Sequence, residues 1–168
     1  VYESFLGMHG INEKGLQVQW TALTENYLMF GAEILQGENE RMFGNATIGG
    51  IEAPIAKGAN APFLFVAYAR THFDFEEKTI LAGLLYANGK SRIDHSTDEE
   101  DPHAFSGDSE LYGLDLLLKH YFDSYSFLTW QSEWLMRDMD GVQYNLDPND
   151  TTVVLSSPNI TKKQAGLY

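Results

Sequence analysis

The chain has 168 residues, 24 acidic against 11 basic side chains, a formal net charge of −13, no cysteine and 43% hydrophobic residues. This length and apolar content suit one folded domain and make disorder a poor reading, while a sequence pI near 4.6 without a basic run excludes nucleic acid as a partner. Without cysteine there is no disulfide scaffold, thiol catalysis or cysteine-based zinc site, and no apolar window is long enough for a transmembrane helix; a spanning β-barrel, apolar only at alternate positions, is not excluded.

Helical periodicity is weak throughout, and alternation carries the signal. Neither end reads as a natural terminus, so the sequence is expected to be a mature or truncated piece, a single segment over 1–168. Leu16 to Trp20 sets Leu16, Val18 and Trp20 against Gln17 and Gln19, and Tyr27 to Gly37 sets Leu28, Phe30, Ala32 and Ile34 against Tyr27, Gly31 and Glu33. Pro62 to Phe75 is apolar on one parity (Phe63, Phe65, Ala67, Ala69, Phe73, Phe75), while the other turns charged at Arg70, His72 and Asp74. Thr79 to Lys90 is apolar on both parities. Glu110 to Asp123 places Tyr112, Leu114, Leu116, Leu118 and Phe122 opposite Asp115, Lys119 and Tyr121. Tyr125 to Asp138 places Leu128, Trp130, Trp134 and Met136 opposite Thr129, Gln131, Glu133 and Arg137, and Lys163 to Tyr168 begins a seventh strand.

Connections alternate in length. Thr21 to Asn26, Glu76 to Lys78 and Ser124 are short; long loops are expected at about 38–61, 91–109 and 139–162. Short and long connections thus fall at opposite ends of the strands, as in transmembrane barrels. Strands of about ten residues at roughly 3.3 Å each, tilted by about 45°, rise roughly 23 Å, close to the ~25 Å apolar band of an outer membrane. The expectation is therefore an all-β fold, an antiparallel up-and-down transmembrane β-barrel of which this chain supplies about six or seven strands. A soluble β-sandwich or lipocalin-like barrel, with the apolar parity turned inward around a ligand cavity, is the alternative.

At GLQVQW (Gly15 to Trp20), FGAEILQGENE (Phe30 to Glu40), LYGLDLLLKHYFD (Leu111 to Asp123) and SFLTWQSEWLMRDMDG (Ser126 to Gly141), the sequence resembles bacterial porin-like outer-membrane proteins, with greatest likeness to a group labelled zinc-regulated TonB-dependent outer-membrane receptors. The resemblance implies a barrel that passes small solutes or ions across the bacterial outer membrane. Its expected partners are outer-membrane lipid, the solute and an energy-coupling protein, with homo-oligomerisation allowed. No plug domain or energy-coupling segment is recognisable.

The second function reading, from a different class, is a soluble β-rich small-ligand-binding protein. No nucleophile-elbow, zincin, P-loop or dinucleotide motif is present, so no enzyme activity is expected. In a barrel the polar parity would line the pore with Glu33, Arg70, His72, Asp74, Asp115, Lys119, Glu133 and Arg137, either setting its solute preference or forming salt bridges between strands. Arg92 to Glu110 carries Asp94, Asp98, Glu99, Glu100, Asp101, Asp108 and Glu110 against one Arg. With His95 and His103, its residues Asp98 and Asp101 form a candidate ligand set for a divalent cation such as zinc, weighed against a plain hydrated acidic loop; no other cofactor is expected.

Overall fold

The computed structural model describes residues 5–6, 10–39, 42–49, 54–58, 63–98 and 100–168. Their strands are β1 (Gly15–Thr21), β2 (Tyr27–Leu35), β3 (Ile48–Gly49), β4 (Pro54–Ala56), β5 (Leu64–Phe75), β6 (Lys78–His95), β7 (His103–Tyr121), β8 (Phe127–Asp147), β9 (Asp150–Ser156) and β10 (Asn159–Leu167). The main sheet runs in the order β1-β2-β5-β6-β7-β8-β10, with β9 also on β8, and β3 and β4 form a separate small ribbon. Every pairing is antiparallel. The backbone reverses tightly between Phe75 and Lys78, which face each other across the β5–β6 pair. At the β7–β8 turn, Asp123 accepts hydrogen bonds from the Ser126 hydroxyl and from the Tyr125 and Ser126 amides, which hold its carboxyl below the usual carboxylate range.

Two of the expected long loops are largely strand. β6 and β7 stay paired from Lys78↔His120 to His95↔His103, so 91–95 and 103–109 extend a hairpin in place of a loop. Alternating hydrophobicity fades there because polar pairs face each other instead, as where Lys90 meets Asp108 at 2.5 Å. The 139–162 region likewise continues β8 to Asp147 and returns along the same edge as β9 and β10. The return is interrupted at Pro158, which has no amide to donate, while its carbonyl accepts the Gln143 N–H at 3.0 Å.

In place of the expected six or seven strands of an up-and-down transmembrane β-barrel, the chain forms a multi-stranded open sheet. Among the described residues β1 pairs only with β2 and β10 only with β8, so the strands of this chain form an open sheet. Among the described residues this sheet encloses no lumen. The channel or receptor function, the outer-membrane location, and the lipid and energy-coupling partners all rested on that spanning barrel and are withdrawn with it. No helix among the described residues is long and apolar enough to cross a membrane.

The core sits on the face that the sequence marks as polar. Leu35, Leu64, Val66, Ala87, Leu111 and Leu135 share that face toward one end of the strands, where Phe5, Leu6, Met42 and Phe43 cover them. Glu13 fixes this cover by accepting the amides of Gly37 and Asn39, and the Asn39 side chain donates to the Leu6 and Gly10 carbonyls at 2.8 and 2.9 Å. Phe43 is fully buried, whereas Leu16 and Trp20 on the opposite face are 77% and 61% exposed.

Candidate ligand-binding cleft

Beyond the covered core, the same face continues into a cleft of about 430 Å³. Val66, Leu85 and Leu135 line its apolar side; Gln17, Gln19, Glu33, Tyr68, Arg70, Asp115 and Glu133 line its polar side. The strand register assembles the polar groups. Gln17 stands opposite Glu33, Arg70 opposite Gly83, Gly83 opposite Asp115, and Asp115 opposite Glu133. Residues far apart in sequence therefore meet because strands β1, β2, β5, β6, β7 and β8 lie side by side.

Tyr68 organises one wall. Its hydroxyl accepts hydrogen bonds from the Gln17 and Gln19 amides at 2.8 and 2.6 Å, and Gln17 also donates to Glu33 at 2.5 Å. The Arg70 guanidinium stands 5.9 Å from the Tyr68 ring centroid. Two glycines make room for the lining side chains. A Cβ on Gly31 would lie 2.1 Å from Tyr68 Cζ, and one on Gly83 would lie 2.0 Å from Asp115 Oδ2. The ring and the carboxylate lie across bare backbone that any larger residue would occupy.

Electrostatics favour positive charge. Among the described residues Glu33, Asp115 and Glu133 line the cleft together with one guanidinium, that of Arg70. Partial burial, and then the neighbouring Asp115, push the Glu133 carboxyl above its usual range. Like charges directly opposite across a strand pair repel, as the Asp115 and Glu133 carboxylates do here.

Of the residues expected to line a pore, Glu33, Arg70, Asp115 and Glu133 converge here, around a cleft and not a lumen. The others lie elsewhere. His72 pairs with Asp74 at 3.3 Å and stacks on Tyr27, with ring centroids 5.2 Å apart. Lys119 stands 4.1 Å from the Phe127 ring centroid and 4.6 Å from that of Tyr121. Arg137 donates to the Phe5 carbonyl at 3.3 Å and to Gln164, which ties the N-terminal cover to β8 and β10. Gln17, Gln19 and Tyr68 are cleft residues that sequence reasoning left out. Their shared parity with Glu33 and Arg70 was the available signal, but uncharged side chains did not stand out.

In the expected metal set, His95 and His103 come together, with Nδ1 and Nε2 3.3 Å apart, and Asp101 Oδ2 lies 3.8 Å from His103 Nδ1. Glu99 lies outside the described residues. No group of three or more His, Asp or Glu among the described residues is placed to hold a metal ion together. A shallow depression of about 800 Å³ lies on the apolar face, between Phe30, Leu84, Tyr86, Tyr112, Leu114 and Met136. The inward-facing apolar cavity of the lipocalin-like alternative is therefore not formed among the described residues: Phe65 and Trp130 on this face are half exposed, and the more enclosed cleft is on the other side.

No family model matches the chain, and no solved structure matches it. It is 45% identical over all 168 residues to an uncharacterized protein of Aquifex aeolicus (strain VF5). The chain spans about a third, 34%, of that relative's length. Nothing in these comparisons supports the resemblance to TonB-dependent receptors, and with the open sheet it is set aside.

Proposed function

We propose that the chain is a β-rich small-ligand-binding protein whose cleft takes a small organic cation with a short apolar portion. The observation that carries this reading is the convergence of Glu33, Asp115 and Glu133 beside the Val66, Leu85 and Leu135 surface in one cavity of about 430 Å³. That volume lies within the usual range for small-molecule sites, which combine an apolar lining with a few fixed polar groups. Ionised carboxylates would attract an ammonium or amidinium group, the Gln17–Gln19–Tyr68 network offers further hydrogen-bonding groups, and the apolar side would take a short hydrocarbon chain. In this reading the ligand is bound and released unchanged, without catalysis.

The test is a titration with n-butylammonium, followed by the NMR signals of the cleft residues, with butyrate as the matched anion. Saturable shifts at Glu133, Asp115 and Tyr68 with the cation, weakened in Glu133→Gln, are expected. Equal binding of butyrate, or no binding of the cation, would overturn the reading.

A further inference from the structure

His95 and His103 close the β6–β7 ladder as directly opposed residues, and their rings meet edge to face with centroids 5.0 Å apart. The Nδ1 of His95 and the Nε2 of His103 are 3.3 Å apart. A tetrahedral zinc ion bound at about 2.0–2.1 Å by two imidazole nitrogens requires those nitrogens to be about 3.3 Å apart. The backbone also sets the tautomer of one ring. His103 Nδ1 lies 2.7 Å from the Asp101 carbonyl oxygen and donates its proton there, which leaves Nε2 as the bare nitrogen facing His95. A hydrogen bond from the far ring nitrogen to a carbonyl is the usual arrangement that orients a metal-bound histidine.

We infer that the His95–His103 pair is a binding site for a zinc-class divalent cation, held by the two imidazoles at the end of the β6–β7 hairpin. The cation replaces the proton shared between the rings, which His95 transfers to its other ring nitrogen or to solvent. Water fills the remaining coordination positions, since no third protein ligand joins the pair among the described residues. Asp98 and Asp101, in the turn between the two histidines, add a negative field that favours a cation. Imidazole ligands select zinc, copper or nickel over magnesium, which prefers oxygen. The site is independent of the cleft, because its residues are not among those lining it.

The experiment titrates the full chain with ZnCl2 and follows the ring signals of its histidines by NMR, with MgCl2 as the control. Saturable one-to-one shifts or broadening at His95 and His103, absent with magnesium, are expected. His95→Ala and His103→Ala should each weaken zinc binding by at least about tenfold. His95→Asn, with circular dichroism on all variants, separates loss of a ligand from loss of the hairpin. Unmoved His95 and His103 signals, or variants that bind zinc as the parent does, would overturn the site and assign any uptake to the acidic side chains at large.

Discussion

The two faces of the main sheet share one backbone and differ in what covers them. On one face Leu35, Leu64, Leu111 and Leu135 lie beneath Phe5, Leu6, Met42 and Phe43, and the same face opens into the polar cleft. On the other, Leu16, Val18, Trp20, Leu84 and Leu114 are large apolar side chains yet remain exposed. Hydrophobic side chains thus do not by themselves choose the core of this protein; the segments that fold over one face do. Strand alternation fixes which residues share a face and leaves open which face is covered.

The largest contrast should come from truncating each face in turn. Phe43 is fully buried, so Phe43→Ala should lower unfolding free energy in urea by about 3–5 kcal/mol, the range for removing a buried aromatic ring. Leu16→Ala, at an exposed position on the opposite face, should change it by no more than about 0.5 kcal/mol. Comparable losses for the two would break the distinction between the faces.

A smaller effect is expected where the cleft meets bare backbone. In Gly31→Ala the new methyl would enter the space of the Tyr68 ring, which must swing away and lose its bonds from Gln17 and Gln19. Overpacking of this kind costs about 1–3 kcal/mol, and the Tyr68 ring signals should move with it. In Gly83→Ala the obstacle is the mobile end of Asp115, so cleft binding should suffer more than stability. Unchanged n-butylammonium binding in Gly83→Ala would show that Asp115 takes no part.

The smallest effect concerns Glu133. Its carboxyl titrates above the usual range in the folded chain, so the native state binds more protons than the unfolded state between the two values. Stability should therefore fall as pH rises from the ordinary carboxylate range through the raised value and level off above it. Glu133→Gln removes that part of the slope and, with solvent screening of a partly exposed pair, should stabilise the chain near neutral pH by about 0.5 kcal/mol or less. Denaturant midpoints measured across the acid range check this, and a slope unchanged in the variant would contradict it.

Much of the sheet was legible in alternation. Tyr27–Leu35 lies within the expected Tyr27 to Gly37 strand, and Leu64–Phe75 within Pro62 to Phe75, because their side chains alternate cleanly. The outer halves of β6, β7 and β8 were not legible, since polar cross-strand partners such as Lys90 and Asp108 sustain the ladder there without an apolar signal. Openness was not legible either, because a barrel strand and a sheet strand carry the same alternation, and only the partners of the end strands distinguish them. For the cleft, parity identified Glu33, Arg70, Asp115 and Glu133 as sharing a face. Only the register could separate them from His72 and Asp74 farther along β5, or from Arg137, which the N-terminal cover engages.

The open sheet is tested most directly at its two edges by amide hydrogen exchange. Interior strands such as β6 and β7 have partners on both sides, whereas β1 and β10 each present a row of amides with no neighbouring strand among the described residues. Alternate amides of Gly15–Thr21 and Asn159–Leu167 should exchange at nearly unprotected rates while those of β6 and β7 stay protected. Uniform protection along both β1 and β10 in the monomer would mean that the two edges have found a partner in each other, and would contradict the open sheet.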